Sequence, residues 1–166
     1  LINDWSADYV NKLKLNDTEV VSSSNNFVND ASATTFTLGT DTDVNANNGT
    51  YIAYCFHDVS GYSKFGTYNG TGSTHTVTTG FAPAFVMLKS TDATHPWVIL
   101  DNTRQAGTAL KYEMYANTQA GEGTDASGVL FTSTGFQLTT DNSYVNQNTK
   151  TFVYMAFADK REYAYW

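Results

Sequence analysis

The sequence predicts an all-β chain, an antiparallel two-sheet sandwich of jelly-roll-like type, on three observations. Strand-length segments, alternating or apolar on both faces, recur at intervals of roughly ten residues. Asn-Gly, Thr-Gly and Ser-Gly pairs lie between them and supply the positive backbone angles that tight connections need. The polar residues are mostly neutral: 15% of the 166 residues are charged, against roughly a quarter in an ordinary soluble domain, which leaves little for the charged faces of surface helices.

The elements follow in chain order. Lys12 to Asn16 and Thr35 to Leu38 alternate polar with apolar residues and read as half-buried strands. Thr50 to His57 differs, because Tyr51, Ala53 and Cys55 share one face, Ile52, Tyr54 and Phe56 the other, and both faces are apolar. Such a strand belongs at the centre of a sheet covered twice. Ser63 to Tyr68 and His75 to Thr78 flank the Asn69-Gly70 turn. Ala84 to Lys89 and Trp97 to Asp101, joined by the polar stretch Lys89 to Pro96, read as a hairpin. Leu110 to Tyr115, Gly128 to Thr132 and Gly135 to Thr139 follow, and Thr151 to Ala158 is a second strand apolar on both faces.

Two stretches repeat. Phe36, Leu38, Thr40 and Asp41 match Phe136, Leu138, Thr140 and Asp141; displaced by one more residue, Tyr51, Ile52, Phe56, Asp58 and Tyr62 match Phe152, Val153, Phe157, Asp159 and Tyr163. A period of about 100 residues suits tandem β modules rather than a solenoid. It divides the chain into the latter half of one repeat, residues 1–60, and a complete repeat, residues 61–166, expected to pack as one pseudo-symmetric sandwich. Matching positions that keep only apolar identity are core candidates, so Ile52, Phe56, Val153 and Phe157 are expected to be buried.

A net charge of −7, with nine Lys and Arg that form no cluster, argues against nucleic acid as a partner. No apolar run is long enough for a bilayer span, so membrane insertion is not expected. The start lacks both an initiator Met and the features of a signal peptide, and the repeat opens in mid-copy, which predicts a piece of a longer polypeptide. A lone Cys55 excludes an internal disulfide.

The carrying motifs are GTYIAYCFHDVSGYSKFGTYNGTGS (Gly49 to Ser73), GFAPAFVMLKSTDATHPWVILDN (Gly80 to Asn102) and FQLTTDNSYVNQNTKTFVYMAFAD (Phe136 to Asp159). Together they resemble a module that recurs in structural and tail-appendage proteins of tailed bacteriophages, particularly of aquatic hosts. The resemblance covers nearly the whole chain. It implies a virion protein with no catalytic residues to carry over, most naturally in a tail fibre or appendage that works in assembly and host-surface attachment. Its partners would be other copies or neighbouring virion proteins, with a host-surface glycan as a further ligand. A capsid decoration protein, a secreted glycan-binding module and a tail-associated polysaccharide depolymerase are the rivals.

The residues themselves point to no enzyme and no cofactor. Cys55 and His57 share a strand face, but same-strand neighbours run parallel and do not converge on one substrate atom, and their counterparts are Ala156 and Ala158. Cys55 is therefore expected to be a small buried residue of a strand. His75 and His95 are isolated in sequence, short of the ligand number a zinc site needs. No pair among Glu19, Glu113, Glu122 and Glu162 can be placed as glycosidase carboxylates. Asp41, Asp43, Asn45 and Asn47 alternate like calcium ligands without the glycine and terminal Glu of a calcium loop, so the plainer expectation is a solvated hairpin loop. Unsatisfied strand edges and the alternation of Tyr163, Tyr165 and Trp166 predict subunit contacts at the C-terminus and an oligomeric working state.

Overall fold

The computed structural model describes residues 11–23, 26–104, 110, 112–124 and 128–159. The first half contains two small antiparallel hairpins, β1 (Asn11–Lys12) with β2 (Ser22–Ser23) and β3 (Val28–Ala31) with β4 (Phe36–Leu38), then a single helical turn, α1 (Thr42–Asn45). The second half contributes β5 (Ser63–Asn69), β6 (His75–Thr78), β7 (Pro83–Ser90), β8 (Val98–Asp101), β9 (Met114–Tyr115), β10 (Val129–Thr132), β11 (Gly135–Leu138) and β12 (Thr151–Ala158). These build two antiparallel sheets, β5-β12-β7-β8-β9 and β10-β11-β6. The fold is an all-β sandwich. Its expected hairpin forms in register, with Phe85 opposite Asp101 and Leu88 opposite Val98.

Residues directly opposite in an antiparallel ladder share a face. On the inner face of the larger sheet, Phe152, Tyr154 and Ala156 lie beside Tyr68 and Gly66 on one side and Leu88 and Val86 on the other. Val77, Phe136, Leu138 and Val129 of the smaller sheet close over them as one buried cluster. Tyr68 stacks on Phe152 at 5.2 Å, and its hydroxyl donates to the Val145 carbonyl, so its polar end is satisfied inside the core. Asn146 is likewise buried and bonded: its amide nitrogen donates to the carbonyls of Ser73 and Thr140, and its oxygen accepts from the Thr71 amide. Gly70 permits that packing, since a Cβ there would lie 2.2 Å from the Gln147 carbonyl oxygen.

The same local geometry occurs twice, about a hundred residues apart. Asn45 Nδ2 donates to Gly39 O at 2.7 Å, and Asn146 Nδ2 to Thr140 O at 2.8 Å. The Asp43 amide donates to Asp41 Oδ1, and the Tyr144 amide to Asn142 Oδ1, each at 2.9 Å. Among the described residues, the two non-glycine residues with positive φ are Asn48 at 63° and Thr149 at 67°. The hairpin turns correspond as well, with Ser32 Oγ accepting from the Thr34 amide as Thr132 Oγ1 accepts from that of Thr134.

The surroundings differ. Asn146 is bonded by residues 71–73, which belong to the connection after β5, whereas Asn45 is exposed and has no such neighbour among the described residues. Directly after each turn the two copies part. Residues 151–158 are the central strand β12, but residues 51–58 form no strand at all. Three expectations are corrected here. Ile52 and Phe56 are not core residues, being 80% and 57% exposed, and Tyr54 is also 80% exposed. Cys55 is exposed rather than buried in a strand. Nor do the two halves merge into one pseudo-symmetric sandwich, because β1 to β4 pair only with one another. The cause is pairing rather than composition: β12 has β5 on one edge and β7 on the other, and residues 51–58 have neither. Val153 is 7% exposed, while Phe157 is half-buried on the outer face of the larger sheet.

This asymmetry sets different costs for truncations in the two segments. Phe152→Ala removes a fully buried ring and should cost about 3–5 kcal/mol, whereas Ile52→Ala should fall within about 0.5 kcal/mol of the parent. Urea denaturation midpoints of the two variants check both values.

Candidate interaction surface

The outer face of the larger sheet is apolar, by the same alternation that builds the inner one. Phe65, Phe85, Met87, Ile99, Met155 and Phe157 lie on it. Its two ends are covered differently. At one end residues 13–21 cross the sheet: Leu13 and Val21 pack with Trp97 and Val153, Trp97 Nε1 donates to the Lys14 carbonyl at 2.9 Å, and the Val21 amide donates to the Thr91 carbonyl at 2.7 Å. At the other end, among the described residues, the returning chain at 56–62 covers it. Phe157 is the hub there, with Phe56, Tyr62, Phe65 and Phe85 all within 5.7–6.2 Å between ring centroids. Phe56 and Tyr62 keep their other sides in solvent.

A polar clamp fixes this return. Asp58 accepts from the Phe65 amide at 2.9 Å and pairs with the Lys64 ammonium. Ser63 Oγ donates to the His57 carbonyl, and the Ala158 amide donates to the Tyr62 carbonyl at 2.8 Å, tying the segment to the end of β12. Partial burial alone would raise the Asp58 carboxyl, but the Lys64 ammonium and the Phe65 amide outweigh it and hold the group below the usual carboxylate range. The aromatic segment Tyr51 to Phe56 is thereby held at the surface by its C-terminal end, uncharged throughout and open to contact.

The other sequence candidates do not assemble into sites. The calcium candidate is corrected: Lys12 Nζ sits 3.1 Å from Asp41 Oδ2 and 3.7 Å from Asp43, Lys14 pairs with Asp43, and Asn45 turns its amide nitrogen to the Gly39 carbonyl. Two ammonium groups stand where a cation would, and Asp41 and Asn45 serve the turn around α1. A shallow recess of about 310 Å³ lies against this ion-paired group, lined by Lys12, Lys14, Leu15, Asn16, Phe27 and Asp43. His57 Nδ1 contacts the Asp58 carbonyl rather than the Cys55 thiol. His75 packs near Tyr68 and His95 near Tyr144. Among the described residues no three His, Cys, Asp or Glu side chains are grouped to hold a metal ion. Glu122 pairs with Arg104 at 2.8 Å, and Glu113 is fully buried, accepting from the Tyr115 hydroxyl at 2.9 Å. Tyr163, Tyr165 and Trp166 lie outside the described residues. No helix among the described residues is long and apolar enough to cross a membrane.

The sequence profile of the family described as Domain of unknown function (DUF7483) matches residues 3–161, spanning both halves. The chain belongs to the DUF7483 family. No curated protein and no solved structure matches it significantly.

One group in the DUF7483 chain escapes sequence reasoning. Lys89 ends the apolar run of β7 on the outer face, between Val153 and the overlying residues 13–21, and is fully buried. Its ammonium donates to the carbonyls of Ser90 at 2.5 Å and Ala93 at 3.2 Å, so it folds the connection to β8 back on itself. Desolvation pulls its pKa down to about 8, against the opposing charges of Asp17, Glu19 and Asp92. Burial, with Lys89 and Lys150 adding charge nearby, also lowers His95, against a hydrogen bond to Gln147 that raises it. The available signal was lysine at a position whose parity matches Phe85 and Met87.

The sign of the resulting pH dependence is fixed. Between about 8 and 10.4 the unfolded chain holds a proton that folded Lys89 has released, so stability rises with pH across that window. Burial raises the Tyr68 hydroxyl well above its ordinary value, so above about 10 the unfolded tyrosine ionises first and stability falls. The urea midpoint should climb from pH 8 to 10 and then turn down; in Lys89→Met the climb should be lost and the downturn kept.

Proposed function

We propose that this DUF7483 chain is a non-enzymatic structural module of a bacteriophage particle, in a tail fibre or appendage that works in assembly and attachment to the host surface. The observation that carries this reading is the strip of uncharged aromatic side chains from Tyr51 to Tyr62, held in place by the Asp58 clamp yet largely open to solvent. Exposed aromatic side chains on an otherwise well-packed sandwich suit protein contact. The resemblance of the motifs at Gly49 to Ser73, Gly80 to Asn102 and Phe136 to Asp159 to phage appendage modules supplies the setting. The acidic side chains add to it, since Glu113, Glu122, Asp41, Asp58 and Asp101 are each engaged by a neighbouring donor within the fold.

Immunogold electron microscopy tests the reading directly, with antibody raised against the chain and particles of a phage that encodes it. Label on the tail or its appendages is the expected result. Label confined to the capsid shell would favour a decoration role and overturn the appendage assignment, and unlabelled particles would overturn the virion role altogether.

A further inference from the structure

We infer that residues 50–58 are the central strand of a second sandwich, completed by two antiparallel strands with the chemistry of β5 and β7 that come from a further partial module and not from a second copy of this chain. The inference stands apart from the particle in which the chain works.

The molecule contains its own template for what covers this segment. Hydrogen bonds and the left-handed residue recur in both halves up to Asn48 and Thr149, so the chain enters 50–58 from the same turn that launches β12. The sequence that follows has the pattern of β12. Tyr51, Ala53 and Cys55 take the places of Phe152, Tyr154 and Ala156, all buried against the smaller sheet, and Ile52 and Phe56 take those of Val153 and Phe157. Nothing in residues 51–56 protects an edge, for there is no charge and no proline. What differs is the supply of neighbours. β12 is paired along its length with β5, Phe152 to Tyr68 through Phe157 to Ser63, and with β7, Phe152 to Ser90 through Ala158 to Pro83. Residues 50–58 have the pattern without the pair.

Stoichiometry identifies the occupant. Residues 11–159 carry two central-strand sequences and, among the described residues, one flanking pair, which is already filled by β12. Exchange between copies of this segment moves strands without changing that ratio, so one central strand per copy of the segment is left over. Its partner must bring flanking strands in excess, by strand addition on both edges at once.

Cys55 reports the outcome, since it is the single cysteine and is exposed, while its counterpart Ala156 is fully buried. A second copy of residues 59–109, which contains β5 to β8 and no cysteine, is fused ahead of Leu1 through a flexible Gly-Ser linker. Maleimide labelling of Cys55 is then timed in the parent and the extended chain. Labelling should slow on the order of 100-fold in the extended chain, as for a group reached only by local opening. Ile52→Asp with Phe56→Asp in the extended chain should restore the fast rate. Labelling that stays fast in the extended chain overturns the inference, and so does equal slowing in the double variant, which would mean that the extension merely shields the thiol. Slowing that grows with concentration in the parent chain alone would assign the site to a second copy and overturn the stated occupant.

Discussion

A strand apolar on both faces is stable only where two strands satisfy its edges and two layers cover its faces. β12 meets all four conditions, and the rest of the described fold is arranged around meeting them. β5 and β7 take its edges, the sheet β10-β11-β6 covers Phe152, Tyr154 and Ala156, and the crossing chain at 13–21 covers Val153 on the other side. The hydrogen-bonding demand of the backbone and the area demand of the side chains act together here. Removing either neighbour would leave unpaired amides beside exposed rings, an open edge that invites association.

The first half shows what happens to an equivalent sequence when those conditions fail. The turn at 39–49 keeps its internal geometry because its bonds are local: the Asp41 carboxylate caps, the Asn45 amide closes the loop, and Asn48 supplies the left-handed residue. The strand after it has no local bonds to fall back on and does not form. Local structure is therefore repeated while long-range structure is not, and the boundary falls where hydrogen bonds pass from nearby to distant partners. The Asp58 clamp then becomes important for a second reason. By pinning the end of the unpaired segment to β5 and β12, it keeps Phe56 on Phe157 rather than leaving the whole stretch free.

How much of this the sequence disclosed follows the same division. Alternation and turn pairs located β6 and β12 at their observed limits and β5, β7, β8, β10 and β11 to within a residue or so, since each is bounded by a turn residue and filled by β-formers. They missed β2 and β3, where Ser22-Ser23 and Asn29-Asp30 carry no apolar period because those short hairpins bury almost nothing. They overstated 50–57, because periodicity reports what a strand would bury and not whether partners are there to bury it. The functional surface was half legible. Its aromatic content could be read, but its exposure could not, and Lys89 was hidden by standing at the end of an apolar run, where a lysine reads as its solvated boundary.

Lys89 also clarifies why residues 13–21 lie where they do. A buried ammonium with only carbonyl partners is costly, and the cost falls if acidic groups approach without displacing the carbonyls. Asp17 and Glu19, on the crossing segment, and Asp92, on the connection to β8, supply that field. Leu13, Val21 and Trp97 provide the apolar contact that seats the segment. At the far end of the same face, among the described residues, the chain at 56–62 is seated on the Phe157 cluster and held by the exposed Asp58 clamp rather than by a buried charge. A solvent-exposed pair such as Asp58–Lys64 constrains less than a buried ammonium, so this end is the one better suited to accept a partner over residues 56–62, while the Lys89 end is committed to the chain's own fold.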